Sequence, residues 1–192
     1  MRNVIWIIVF GLLGANAFGV GLAVGGFYML SVPVGVLGDA YDRSVYGAGG
    51  KVVLDLLLGL SADVAVGYNA SYAAIWTGSG PAPGNWSDYS LATVPMTYGG
   101  SFKLNLGFIK PYVGAGGAFV AEKTNTPAGY GATSIKKHGF YAGGGFTYAF
   151  TDKVALDANP RYLFVLDKDA GIAPSKNSTF VDVLVGIDYS LL

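Results

Sequence analysis

The chain has no cysteine and one histidine, His138. Without cysteine there is no disulfide, no thiolate-held zinc or iron–sulfur cluster, no cysteine nucleophile and no lipid-anchored bacterial lipoprotein. One imidazole excludes any site that needs two. Charge is scarce as well: 12% of the 192 residues are Asp, Glu, Lys or Arg, and twelve bases balance twelve acids. A nucleic-acid binder should carry a basic excess, so that partner class is excluded. What the chain has instead is 52% hydrophobic residues, 14% aromatics and 30 glycines. Disorder needs low hydrophobicity and high charge, the reverse of this composition. A mean hydropathy of +0.46 is high for a soluble domain and favours a membrane protein.

The first segment reads as a targeting signal. Arg2 supplies a positive start, Val4 to Leu13 an apolar core, and Ala15-Asn16-Ala17 a small-x-small cleavage box. Cleavage after Ala17 leaves a mature domain over residues 18–192. The rival is an uncleaved helical anchor, because no charge occurs between Arg2 and Asp39. The second half of that run is a poor helix, since Gly19, Gly21, Gly25, Gly26, Gly35 and Gly38 interrupt it and Pro33 would break it.

Elsewhere the recurring pattern is alternation with period two, the signature of strands. From Val181 to Leu191 the odd positions are Val181, Val183, Val185, Ile187, Tyr189 and Leu191, and the even ones are polar or small apart from Leu184. The same split predicts a second strand with Val52, Leu54, Leu56, Leu58 and Leu60 on one face, and a third with Val64, Val66, Tyr68, Ala70 and Tyr72. A fourth carries Met96, Tyr98, Phe102 and Leu104, a sixth Phe140, Ala142, Phe146, Tyr148 and Phe150, and a seventh Leu156, Ala158, Tyr162 and Phe164. The first, about Val20–Val32, and the fifth, about Pro111–Glu122, are weaker and Gly-rich. The apolar faces are the larger and more aromatic ones, which suits lipid, and Gly, Ala, Ser and Asn suit a narrow lumen.

Connections alternate in length. Long ones fall at 33–45, 77–89, 123–137 and 167–178, and short ones at Ser61-Ala62-Asp63, Leu106-Gly107-Phe108-Ile109 and Thr151-Asp152-Lys153. Four long and three short connections make eight strands. The expected fold is all-β: an eight-stranded antiparallel up-and-down transmembrane barrel after a cleavable signal peptide. Pro160 removes a ladder donor from the seventh strand, where a bulge or weak pairing is expected.

Several short stretches carry a family likeness: Val94-Pro95 opening the fourth strand, the hairpin into Lys110-Pro111-Tyr112-Val113-Gly114-Ala115-Gly116, Arg161-Tyr162, and a terminal strand with Gly186, Tyr189 and Leu191. On these the chain resembles the small bacterial outer-membrane β-barrels, the OmpA/OmpX-type and opacity-protein-like "porin family" domain, over about residues 18–192. One departure is Leu192, where Phe is usual. The resemblance implies export to the outer membrane, contact with outer-membrane lipid and lipopolysaccharide, and recognition of the C-terminal strand by the assembly machinery. It implies a non-enzymatic protein with a structural or surface-interaction role through four extracellular loops. A narrow channel for small or hydrophobic solutes is the alternative, and a lipid A-modifying enzyme a third.

Chemistry-bearing residues are few. His138 is the one candidate base, with Ser134 nearby in sequence but no evident carboxylate to complete a triad. Lys136, Lys137 and His138 either meet lipopolysaccharide phosphates by charge pairing or form an ordinary solvated rim. The runs Gly114–Gly117 and Gly143–Gly145 lack the Lys-Ser/Thr and the helix of a phosphate loop and read as structural. Asp167 and Asp169 could touch a calcium ion, but no ligand cluster calls for a metal, and no cofactor is expected. The sequons at Asn69, Asn85 and Asn177 carry no weight in a bacterium.

Parity assigns seven charges to the lumen: Lys51, Asp55, Lys103, Asp157, Arg161, Asp182 and Asp188. Lys103, Asp157 and Asp188 are expected toward the periplasm, Asp55 and Arg161 near the middle, and Lys51 and Asp182 toward the outside. In a narrow, poorly hydrated interior such charges should pair. Arg161 is expected as the hub, since its planar fork takes two carboxylates, with Asp55, Asp157 or Asp182 among its partners.

Overall fold

A computed structural model describes residues 20–34, 44–73, 90–125, 133–166 and 178–191. The expected signal segment, its cleavage box and Asp167 and Asp169 lie outside these residues. Eight strands follow one another: β1 (Gly21–Val34), β2 (Val45–Asp55), β3 (Leu60–Ala73), β4 (Ser90–Lys103), β5 (Ile109–Asn125), β6 (Thr133–Ala149), β7 (Val154–Leu166) and β8 (Ser178–Ser190). Each pairs antiparallel with the next, and β8 pairs with β1 from Ala23↔Ser190 to Val34↔Thr179, which closes the barrel. Closure satisfies the edges that an open sheet would leave unpaired in lipid. The two Gly-rich strands are complete, 14 and 17 residues long, because ladder bonds need no side chain.

The register fixes the tilt. Stepping between paired residues from Gly139 through Ala118, Thr97, Ala65, Lys51, Gly25, Asp188 and Ala155 returns to β6 at Ala149, ten residues from the start. Eight strands with a stagger of that size tilt by roughly 35–45°. The ladder is irregular at two places. A bulge falls between Asn69 and Tyr72 of β3. At Pro160 the β6–β7 pairing passes from Gly143↔Arg161 to Phe146↔Ala158 at unchanged register, so the missing N–H weakens the ladder without a bulge.

The turns show how local sequence closes the hairpins. The β2–β3 connection is not Ser61-Ala62-Asp63, which belongs to β3, but a single 3-10 turn at Leu57–Gly59. Leu56 donates its N–H to the Leu60 carbonyl at 2.7 Å, and Leu58 and Gly59 take φ of 61° and 80°. Leu56, Leu58 and Leu60 are therefore not in β2: Leu56 precedes the turn, Leu58 lies within it and Leu60 opens β3. In the β4–β5 turn, Asn105 Oδ1 accepts the N–H of Gly107, whose φ is 82°. In the β6–β7 turn, Thr151 Oγ1 accepts the N–H groups of Lys153 and Val154 at 3.1 and 2.9 Å.

The two walls differ in chemistry. Leu54, Val64, Val66, Tyr98, Phe119, Phe140, Phe146, Val185, Ile187 and Tyr189 are exposed on the outer wall. The core is the lumen itself, and in part it is apolar, which alternation did not indicate. Phe27, Met29, Ala65 and Leu184 form one buried cluster, and Val45, Ala118, Val120, Tyr141, Leu163, Val165 and Phe180 another. Glycines make this interior possible at the positions where rings lie against the wall. A side chain at Gly99 would strike the Tyr141 hydroxyl and the Ala115 carbonyl, and one at Gly116 the Tyr141 ring.

Charged lumen as the candidate functional site

All seven charges that parity placed in the lumen point inward, and they form three separate groups. Nearest the short turns, Lys103 Nζ lies 2.7 Å from Asp55 Oδ1, and the Ser61 hydroxyl donates to the same oxygen at 2.7 Å. Further in, Lys51 Nζ sits between Asp157 Oδ2 at 2.7 Å and Asp188 Oδ2 at 2.9 Å. Tyr112 donates its hydroxyl to Asp157 Oδ1 at 2.8 Å. Further still, Arg161 Nε lies 3.4 Å from Asp182 Oδ2, near enough for ionic attraction but off the axis of a good hydrogen bond. Its NH1 donates to Thr97 Oγ1 at 3.1 Å, its guanidinium lies 5.5 Å from the Tyr141 ring centre, and Ser31 donates to Asp182 Oδ1 at 2.5 Å.

Two features differ from the sequence reading. Arg161 takes one carboxylate, not two; Lys51 takes two. Arg161 is opposite Asp182 in the β7–β8 ladder, so its fork is committed there, whereas Lys51 reaches across the barrel to β7 and β8. The depth order also changes. Asp55 lies at the short-turn end and Lys51 deeper but below Arg161, because β2 ends at Asp55 and not at residue 60. Lys51 is therefore not toward the outside.

Inward residues absent from the sequence list complete the interior. Asp63 accepts from the Tyr141 hydroxyl at 3.3 Å, and Glu122 pairs with Lys137 at 2.7 Å. Extending two known parities would have found them: Val64 outward puts Asp63 inward, and Phe140 outward puts Lys137 inward. Lys137 thus leaves the group proposed for lipopolysaccharide; its side chain is 9% exposed and faces Glu122. Lys136 and His138 stand on the opposite, outer wall and are exposed. Among the described residues no carboxylate pairs with His138, whose ring meets that of Phe119 edge-on at 4.9 Å between centres.

The interior opens at the short-turn end. A cavity of about 610 Å³ opens among the short turns, lined by Asp55, Ser61, Lys103, Lys110, Asp152 and Asp188, and a space of about 40 Å³ lies deeper beside Lys51, Asp63 and Tyr141. Beyond Tyr141 the inward side chains close up: Val120, Leu163, Val165 and Phe180 are at most 2% exposed. Among the described residues no group of three His, Asp or Glu side chains could hold a metal.

No family model matches the chain, and no curated protein matches it. Solved structures do. Neisserial surface protein A is 17% identical, with 89% of this chain and 96% of that one covered and a TM-score of 0.55. Ail, the attachment invasion locus protein of Yersinia pestis, solved with the heparin analogue sucrose octasulfate, is 13% identical over 90% and 97% of the two chains, TM-score 0.56. The outer membrane protein OprG of Pseudomonas aeruginosa is 11% identical over 90% and 95%, TM-score 0.56. The chain has the eight-stranded barrel fold that these outer-membrane proteins share.

Proposed function

We propose that the protein is an integral outer-membrane barrel, non-enzymatic, that supports the envelope and presents its long loops as an interaction surface. The carrying observation is the inversion of the two walls. Exposed Leu, Val, Ile, Phe and Tyr cover the outside while the acids of the strands are paired within, an arrangement stable in lipid and costly in water. Likeness in fold to Neisserial surface protein A and to the attachment invasion locus protein Ail supports the surface role. Export with cleavage after Ala17 is part of this reading, and so is insertion by the assembly machinery through β8.

A plugged interior supports a structural role over a channel. On the long-loop side of the Arg161–Asp182 pair, Leu163, Val165 and Phe180 are packed together and almost without solvent exposure, which supports this reading. The test is membrane fractionation, with electrophoresis of unheated and boiled samples and planar-bilayer conductance. Sedimentation with outer membranes, a heat-dependent change in mobility and no stable current support the proposal. A soluble protein overturns it, and a stable current in the unmodified barrel replaces it with the channel reading.

A further inference from the structure

The outer wall is almost free of charge, and its few charges are gathered in one place. Among the described strand residues every carboxylate faces the lumen: Asp55, Asp63, Glu122, Asp157, Asp182 and Asp188. The cations Lys51, Lys103, Lys137 and Arg161 face it too. Lys123 of β5 and Lys136 of β6 do not. Both are exposed and lie on the outer wall of one hairpin. Ala121 is opposite Lys136 and Lys123 is two residues further along β5, so the two ammonium groups are diagonal neighbours on adjacent strands. His138, two residues below Lys136, shares that wall and is opposite Phe119.

Two like charges at this spacing repel each other, and among the described residues no carboxylate on the outer wall offsets them. They stand directly above apolar side chains: Phe119, Phe140, Met96 and Leu166 are all exposed. Tyr98, Phe119 and His138 form a row of ring contacts at 5.5 and 4.9 Å. Height matters as well. Lys136 is twelve residues along β6 from Tyr148, which is opposite Ile109 at the short-turn end. At a rise of ~3.3 Å per residue and the tilt given above, that places it about 30 Å from the turns. The apolar band of such barrels is about 25 Å tall. The lysines therefore sit just past the hydrocarbon, where lipid headgroups lie.

We infer that Lys123, Lys136 and His138 form a docking site for a phosphate-bearing lipid headgroup in the leaflet on the long-loop side, with the acyl chains lying along Phe119 and Phe140. The two ammonium groups supply charge, the imidazole a ring N–H donor, and the ring row a flat wall for the chains. The inference rests on the membrane reading proposed above. Lys137, adjacent in sequence, takes no part, because it faces Glu122 inside.

The test uses the folded chain in bilayers of a zwitterionic phospholipid doped with a minor fraction of lipid A, either bisphosphorylated or dephosphorylated. Lipid retained after mild detergent extraction is weighed by native mass spectrometry. The wild type should retain the bisphosphorylated form selectively. Lys123→Gln and Lys136→Gln should each lower retention by about fivefold. Lys153→Gln, in a short turn, should leave it unchanged. Equal retention of both lipids, or undiminished retention by the K123Q/K136Q double variant, overturns the inference. The heat-dependent gel shift in undoped bilayers separates the two levels: a normal shift without phosphate preference defeats this inference alone, whereas no shift defeats the membrane reading and this inference with it.

Discussion

Replacing Arg161 should show how the interior is held. Its guanidinium is buried beside Asp182, with the apolar Leu163 and Phe180 one inward position beyond the pair and Leu184 one position before it on β8. Arg161→Met leaves the Asp182 carboxylate, which is 0% exposed, with only the Ser31 hydroxyl to satisfy it. Removing one member of a buried pair typically costs 3–5 kcal/mol. The Ser31 bond persists, so the lower end, about 3 kcal/mol, is expected. Asp182→Val should cost a similar amount by stranding the guanidinium against Thr97 and Tyr141. The double variant R161M/D182V leaves neither charge and adds apolar contact to both clusters, so it should fall within about 1 kcal/mol of the wild type. The assay is urea unfolding of the four proteins in lipid bilayers, followed by the gel mobility of unheated samples. Single losses that simply add in the double variant would refute the reasoning, because the Arg161–Asp182 contact would then carry no coupling.

Four further outcomes are expected. Val185→Arg places a charge in the hydrocarbon and should cost roughly 2–4 kcal/mol, less in thinner bilayers, whereas Leu184→Arg should disturb the inner packing whatever the bilayer thickness; unfolding in lipids of two chain lengths checks this, and the same lipid dependence for both would mean the walls are reversed. Tyr141→Phe should cost about 1 kcal/mol by removing the bond to Asp63, measured by the same unfolding. Gly99→Ala should cost about 1–3 kcal/mol or block folding, because the new methyl meets the Tyr141 hydroxyl and the β5 backbone. Leu58→Gly should raise stability by about 0.5–1 kcal/mol, because a 90% exposed leucine at φ 61° has little packing to lose and left-handed strain to shed.

Much of the barrel is legible in the chain because the strand period is local. Val181 to Leu191 shows its two faces without knowledge of any partner, and the same parity turns Lys51, Asp157 and Asp182 toward the lumen. Parity applied one strand further also separates Lys136 from Lys137, which adjacency in sequence had grouped as one basic cluster. Where local pattern and turn geometry conflict, local pattern misleads. Val52 to Leu60 alternates smoothly, yet the chain reverses at Leu57–Gly59, since the Leu56–Leu60 hydrogen bond and two positive φ values close the hairpin there. The inner face of β1 is another such case: Phe27 and Met29 stand among glycines and branched residues on a strand with little contrast, and only the closed barrel shows that they fill its interior.

Partner choice belongs to the tertiary structure alone. Lys51 and Asp157 are 106 residues apart and meet because each strand is fixed in register to its neighbours and the whole sheet closes with a stagger of ten. A change of two in that stagger would keep every side chain on its own wall and give charges that meet across the barrel, such as Lys51 and Asp157, different neighbours. The amino-acid order by itself therefore determined the facing of the strands whose two faces differ in chemistry, because that follows from the two-residue repeat of a single strand; the apolar lining from β1 needed the closed barrel. Which acid meets which base, how deep each pair lies and where the interior becomes apolar were decided by closure, because depth and distance across a barrel are properties of all eight strands together.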